Sequence, residues 1–134
     1  IVCRIGVSLS AGFDSSSILA LLPASLRNGA TLALNYGTDA GGTVDERPLA
    51  QALAARMGVA CESIDSNLYP GSFDQASWSP DPGYPYLNPY RPLKQAVYAA
   101  FEAAGVDVVL SGHFGDHWAA SEARTLLHSW QGRR

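Results

Sequence analysis

Lysine is nearly missing from this 134-residue sequence, in which Lys94 is the single example. A Walker A loop needs a lysine beside its glycines to hold nucleotide phosphates, so that phosphate-binding loop is excluded. The GxGxxG spacing of a dinucleotide-binding loop is missing as well. Any nucleotide site in this chain must therefore use another kind of loop.

Charge and long apolar runs are also scarce. Charged residues make up 16% of the chain and the net charge is −3, with the basic residues scattered, which argues against a nucleic-acid-binding surface. No apolar run approaches the roughly 20 residues that span a membrane, and no secretory signal pattern is present. We therefore expect a cytoplasmic protein with no nucleic acid and no membrane among its partners.

Cysteine is limited to Cys3 and Cys61, neither of which has a CxxC partner. Both lie in strand-like runs, which favours buried free thiols in a reducing compartment. A disulfide between them remains an alternative.

The hydrophobic residues, 47% of the chain, occur in short runs that alternate between strand-like and helix-like patterns. The predicted strands are 2–9, 31–36, 59–64 and 106–112, and the predicted helices are 15–22, 43–57, 92–105 and 117–131. This alternation predicts a three-layer α/β/α fold with a mainly parallel sheet and helices on both faces. In such sheets ligands bind at the carboxyl ends of the strands.

Local signals set the expected helix boundaries. Pro23 is expected to end or kink the first helix, and Asn28 and Gly29 form an Asn-Gly pair typical of a turn. Thr43 and Glu46 have the spacing of a capping box at the start of the next helix.

Residues 65–90 have no helical or strand periodicity and form a predicted loop well beyond the usual limit of about 12 to 15 residues. The aromatic segment "YPYLNPYRP", 84–92, is interpreted either as a lid over a substrate or as a proline-stiffened connection that packs its tyrosines on the sheet.

Two turns with suggestive chemistry follow predicted strands: "LSAGFDSS", 9–16, and "LSGHFGD", 110–116. A serine- and glycine-rich turn that leads into a helix offers backbone N–H groups, hydroxyls and the positive end of the helix dipole, which suit a pyrophosphate. Asp14 could bind that anion through Mg²⁺, which prefers carboxylate and phosphate oxygens. The alternative is a turn whose serines only cap the helix.

These motifs resemble those of a known family. "SAGFDSS" is similar to the SGGxDSS pyrophosphate loop of the PP-loop ATP pyrophosphatases, with Ala11 in place of the middle glycine. "LSGHFGD" resembles the second signature of the asparagine synthetase family, usually written SGEGGDE. Between them, "VDERPLAQALAARMGVACESID", 44–65, resembles that family's helix and strand after the second β-strand.

The resemblance implies an ATP-dependent, AMP-forming amide ligase. In that family a substrate carboxylate attacks the α-phosphate of ATP, pyrophosphate leaves with Mg²⁺, and an amine displaces AMP from the acyl-adenylate. It implies ATP and Mg²⁺ as cofactors, a small-molecule carboxylate such as aspartate or a peptide side chain as substrate, and ammonia from a glutaminase domain. We expect residues 1–134 to be a partial synthetase domain, without the glutaminase domain and the C-terminal helices, whose exposed apolar surface causes self-association, for example as a homo-oligomer, or poor solubility when it is expressed alone.

The site residues implied by the resemblance fall into four groups. Pyrophosphate would be held by Ser10, Gly12, Ser15 and Ser16, and the metal by Asp14 and Asp116. The nucleotide would be framed by Leu9, Leu34, Ser111 and Gly112. The catalytic residues would be His113 and Asp116.

His113 departs from the family pattern, because asparagine synthetases have a glutamate there and β-lactam-forming relatives have a tyrosine. A neutral imidazole can take a proton from an attacking amine, so His113 is a candidate general base. The family also uses a lysine downstream of the second signature, and no lysine follows Asp116 here. Two alternatives therefore stand beside the amide ligase. One is a macrolactam- or β-lactam-forming relative, similar to a lasso peptide cyclase, and the other is a non-catalytic nucleotide-binding module.

The segment "HFGDH" also has a spacing that could bind zinc through His113, Asp116 and His117. No glutamate follows the first histidine, as HExxH would require, so the pattern favours the nucleotide site over a zinc site.

Overall fold

The computed structural model describes residues 3–38, 45–70, 90–113 and 115. The elements in these ranges are β1 (Ile5–Ser8), α1 (Phe13–Leu21), α2 (Ala24–Ala30), β2 (Thr31–Gly37), α3 (Arg47–Arg56), β3 (Ala60–Asp65), a short 3-10 turn (Ser66–Leu68), α4 (Arg91–Ala103) and β4 (Val108–Ser111). The predicted helix at 117–131 and most of the predicted lid lie outside the described residues. Among the helices that are described, none is long and apolar enough to cross a membrane.

The four strands form one parallel sheet in the order β3-β2-β1-β4. The chain winds outward from β1 to β3 and then returns to the other side of β1 to form β4. Because crossovers between parallel strands are right-handed, this reversal is expected to place α4 on the face opposite α1 and α3. The packing confirms the predicted three-layer α/β/α fold.

Each face of the sheet has its own hydrophobic core. The first core lies between the sheet and helices α1 and α3, and its buried residues are Val7, Leu9, Leu19, Ala33, Ala50, Ala54 and Val59. The second core lies under α4, and its buried residues are Leu32, Leu34, Val97 and Phe101.

The apolar face of α4 follows the predicted helical spacing, with Leu93, Val97 and Phe101 buried. The ring of Phe101 lies directly on Gly6 of β1, where a Cβ atom would come within 2.7 Å of the ring. Because Gly6 has no side chain, the helix can lie close against the middle of the sheet.

The segment after β1 is divided as Pro23 predicts, because α1 ends at Leu21 and α2 starts at Ala24. The prediction of a separate turn at Asn28 and Gly29 was wrong, since both residues belong to α2. Gly29 has φ +79°, a conformation that glycine adopts without strain, and it directs the chain from the last turn of α2 into β2.

Helix α3 begins later than the capping-box pattern predicts. Glu46 is its N-cap residue, with no side-chain cap, instead of the third helical residue. The backbone N–H of Arg47 donates to the Asp45 carboxylate at 3.0 Å, so a nearby aspartate satisfies the first helical N–H. Thr43 lies outside the described residues.

Both cysteines are free thiols in the structure. Cys61 is partly buried and packs against the first core, and this burial raises the pKa of its thiol. Cys3, however, is exposed, because it lies before β1 and not within it.

Candidate functional site

The two serine- and glycine-containing turns meet at the carboxyl edge of the sheet. Ser8, the last residue of β1, pairs with Leu34 of β2 and with Ser111, the last residue of β4. β1 and β4 therefore end level with each other, on the two sides of the point where the winding reverses. Open parallel sheets bind ligands in the crevice at such a point.

The serine turn, residues 9–15, is held together by its own side chains. The Ser10 backbone N–H donates to Ser15 Oγ at 3.0 Å, and Ser15 Oγ donates to the Ser10 carbonyl at 3.1 Å. The two hydroxyl oxygens are 2.9 Å apart, and Ser10 Oγ also accepts from the Gly12 N–H at 3.2 Å. Ser15 is 4% exposed, so its side of these bonds lies away from water, whereas Ser10 and Gly12 are exposed. They fix the backbone between the end of β1 and the start of α1.

The N-terminus of α1 opens into the crevice. Its N-cap residue is Gly12, which has no side chain and gives no cap hydrogen bond. The serines therefore bond to each other and to Gly12, and they do not cap the first helical N–H groups. This arrangement disfavours the interpretation that the serines serve only as helix caps. The first turn of the helix, with its positive dipole end, is chemically suited to bind an anion.

The glycine turn, of which the structure describes residues 111–113 and 115, packs directly onto the start of α1. A Cβ atom at Gly112 would lie 2.7 Å from the Ser15 nitrogen, and one at Gly115 would overlap the Asp14 carboxylate. Within the turn, the Gly115 N–H donates to the Gly112 carbonyl at 3.0 Å, and the His113 N–H donates to Ser111 Oγ at 3.1 Å. Glycine at 112 and 115 thus allows the two turns to touch.

Between the turns lies a cleft of about 380 Å³. Of the residues implied by the sequence, the cleft is lined by Leu9, Ser10, Gly12, Asp14, Ser15, Ser111, Gly112 and His113. The structure thus brings most of the predicted site residues to one place.

The remaining predicted residues lie elsewhere. Ser16 belongs to α1 but does not line the cleft, and Leu34 is 1% exposed in the second core. Asp116 lies outside the described residues.

The cleft is also lined by four residues that the sequence analysis did not assign to the site: Ser8, Phe13, Tyr36 and Glu46. Tyr36 follows Leu34 by two residues on β2 and reaches the cleft because β2 extends past the level at which β1 ends. Tyr36 could have been found from the sequence, because it is an aromatic residue at the carboxyl end of a predicted parallel strand.

The start of α3 brings Glu46 to the rim of the cleft. Beside it, Arg47 Nε lies 2.9 Å from the Asp45 carboxylate, and hydrogen bonds from Arg47 hold the pKa of Asp45 below its usual value. The buried Asn35 of β2 donates from Nδ2 to the Arg47 carbonyl at 3.3 Å. These contacts tie the helix start to the sheet.

A smaller cavity of about 130 Å³ adjoins the cleft on the α4 side. The two share a wall, which is formed by Ser8, Tyr36, Ser111 and His113. Molecules bound in the two cavities can therefore contact these four residues from opposite sides.

No group of three or more His, Cys, Asp or Glu side chains that could hold a metal occurs in the part of the chain that the structure describes. Two of the three zinc ligands considered above, Asp116 and His117, lie outside that part. A metal held jointly by Asp14 and by phosphate oxygens of a bound nucleotide needs no such cluster.

Comparison with known proteins agrees with the family resemblance of the motifs. A family model for asparagine synthase matches residues 3–133, nearly the whole chain. No curated protein matches the chain. The chain thus belongs to the asparagine synthase family, a family of ATP-dependent amide ligases within the PP-loop superfamily.

Proposed function

We propose that this chain binds Mg·ATP in the large cleft, activates a carboxylate as its acyl-adenylate with release of pyrophosphate, and then transfers the acyl group to an amine. The observation that carries this proposal is the contact between the two turns across the reversal in winding. That contact places Asp14, the N-terminus of α1 and His113 around one cleft.

The serine turn is suited to hold the pyrophosphate portion of ATP. The hydrogen bonds between Ser10 and Ser15 fix the turn before ligand binds, so little ordering cost remains for binding. The N-terminus of α1 supplies N–H groups and a positive dipole end. Mg²⁺ bound between Asp14 and the phosphates would neutralise charge on the leaving pyrophosphate.

His113 is suited to act in the second step. In that step the amine nitrogen forms a bond to the acyl carbon, the bond from that carbon to the AMP oxygen breaks, and the amine loses a proton. His113 is exposed on the wall shared by the two cavities, where its imidazole can take that proton. Because it replaces the glutamate of asparagine synthetases, a lactam-forming reaction remains the second candidate. Ammonia from a glutaminase domain also remains a prediction.

The role of Asp14 is tested by isothermal titration calorimetry with Mg·ATP. Asp14→Asn should weaken binding by at least about 10-fold, because an amide cannot supply the charge that the metal needs. Glu102→Gln, which removes a carboxylate from an exposed position on α4, is the matched control and should bind normally. Equal affinity of Asp14→Asn and the control would exclude Asp14 from the nucleotide site.

The role of His113 is tested by separate assays of pyrophosphate release and of amide product. His113→Ala should still release pyrophosphate but lose amide formation by about two to four orders of magnitude, the usual scale for a positioned acid or base. His113→Glu should recover part of the product if the nucleophile is small. An equal loss of both half-reactions would mean that His113 shapes the nucleotide site instead.

A further inference from the structure

The smaller cavity beside the cleft has an apolar floor and a polar rim. Its floor is formed by Val97 and Phe101 of α4 and by Val109 of β4. Lys94 and Tyr98 of α4 lie on its rim, beside the wall shared with the cleft. The cavity therefore combines a surface for methylene groups with a positive charge at its edge.

Lys94 is the single lysine of the chain, and among the described residues that line this cavity it is the only Lys or Arg. Within the described ranges no carboxylate lies within ion-pair distance of its ammonium group. An ammonium beside a small cavity attracts anions, and a carboxylate bound there would be its natural partner.

The dimensions of the cavity limit what can enter it. A cavity of about 150 Å³ in another protein holds a benzene molecule, so one of about 130 Å³ accepts a carboxylate with about two or three methylene groups. A larger acid would place only its terminal carboxylate arm inside, and the rest of the molecule would extend outward.

No Asp or Glu lines the cavity among the described residues. A free amino acid that entered it would bring an ammonium group close to its carboxylate, and that ammonium would lose water without gaining an acidic partner. Asp14 and Glu46 line the larger cleft and not this cavity. The apolar floor and the ammonium of Lys94 thus favour an acid that has no ammonium beside its carboxylate arm.

We propose that this cavity holds the carboxylate to be activated, that Lys94 binds it, and that the substrate is an acid whose α-amino group is blocked, such as an aspartyl or glutamyl side chain within a peptide. The proposal rests on the proposed function, because the shared wall is where an acid in this cavity would meet ATP in the cleft. It selects the peptide side chain over free aspartate.

The test uses the full-length protein and ATP–pyrophosphate exchange with two acids that differ in their backbone groups alone. One is free L-aspartate, and the other is N-acetyl-L-aspartic acid α-methylamide, which keeps the side-chain carboxylate. The blocked acid should have a KM at least about 10-fold lower, because it places no ammonium in the cavity. A lower KM for free aspartate would overturn the proposal.

Variants at Lys94 test whether this lysine binds the substrate carboxylate. Lys94→Met should raise the KM for the blocked acid about 10-fold while the KM for ATP stays unchanged, and Lys94→Arg should restore most of the affinity. Arg56→Met removes an equal charge from an exposed position on α3 and should change neither value. An unchanged KM for the acid in Lys94→Met would exclude the lysine as its anchor.

A measurement of Mg·ATP binding distinguishes failure of this inference from failure of the proposed function. If calorimetry detects Mg·ATP binding and the unmodified protein carries out exchange, a wrong acid preference or an inert Lys94→Met variant overturns the inference alone. If Mg·ATP does not bind at all, the proposed function fails, and this inference fails with it.

Discussion

The serine turn and the glycine turn border the same cleft but hold their shapes by different means. The serine turn carries its own cross-links, since Ser10 and Ser15 are joined by hydrogen bonds through both side chain and backbone. The glycine turn lies against α1 at Gly112 and Gly115, where an added Cβ atom would clash with Ser15 or Asp14. One turn is therefore defined by the groups it contains, and the other by the side chains it lacks.

This difference predicts that the two turns respond differently to substitution. Removing a hydroxyl from the serine turn should loosen it gradually. Adding a single carbon atom to the glycine turn should push the two turns apart, because interiors packed at this density have no spare volume.

The largest effect is expected from Gly112→Ala. Its Cβ would lie 2.7 Å from the Ser15 nitrogen, a backbone atom that cannot move aside cheaply. We expect a loss of about 3 kcal/mol in unfolding free energy, the upper end for overpacking, together with loss of Mg·ATP binding. Urea unfolding and calorimetry measure the two effects.

The control for this variant is Gly105→Ala, which has open space around it but a φ of +69°. It should cost about 1 to 2 kcal/mol through backbone strain and leave Mg·ATP binding intact. If Gly112→Ala lost stability and yet bound Mg·ATP normally, the contact between the turns would not matter for the nucleotide.

Ser15→Ala should have the next largest effect. It removes the acceptor for the Ser10 N–H and the donor to the Ser10 carbonyl in a buried position, which should cost about 2 kcal/mol of unfolding free energy. Ser17→Ala, two residues further along α1, removes a hydroxyl outside this network and should cost much less. Equal losses in the two variants, measured by urea unfolding, would contradict the assignment of the cross-link to Ser15.

Gly115→Ala should weaken binding and cost less stability than Gly112→Ala. Its Cβ would overlap the Asp14 carboxylate, which can rotate away, and would lie 2.7 Å from Asp14 Cβ, which rotation cannot move, whereas the clash at Gly112 includes backbone atoms. The displaced carboxylate should weaken Mg·ATP binding by about 10-fold, which corresponds to about 1.4 kcal/mol. A melting temperature reduced as far as that of Gly112→Ala would show that the backbone also had to move.

The smallest effect concerns Asp45 at the start of α3, outside both turns. Its pKa is lowered in the folded state by hydrogen bonds from Arg47, so its ionised form stabilises the fold at neutral pH. That stabilisation should be lost as the pH falls below the usual aspartate range. The melting temperatures of the unmodified protein and of Asp45→Asn should therefore converge in acid, whereas a constant difference from pH 7 to pH 3 would contradict this linkage.

The sequence predicted the layers of this fold because strand and helix periodicities alternate along the chain. It also predicted that the two turns would face the ligand edge, since the carboxyl ends of parallel strands lie on one side of the sheet. It did not predict that β1 is the neighbour of β4, because strand order depends on contacts between residues far apart in the chain.

Two finer features of the site also depend on particular contacts and not on periodicity. The later start of α3 depends on the contact between Asp45 and Arg47, which competes with the capping-box pattern. Phe101, which lines the cavity beside Lys94, lies against Gly6, nearly a hundred residues earlier in the chain. Neither contact leaves a periodic signal in the sequence.

The wall shared by the two cavities has a thermodynamic consequence. Tyr36 and His113 each face both spaces, so a ligand that orders them on one side reduces the entropy cost of binding on the other. Such linkage is reciprocal, and the acid must raise the affinity for ATP by the same factor by which ATP raises the affinity for the acid. We therefore expect positive cooperativity between the two substrates. Under the proposed function, the protein would bind ATP more tightly when an acid is present, which limits unproductive hydrolysis of ATP.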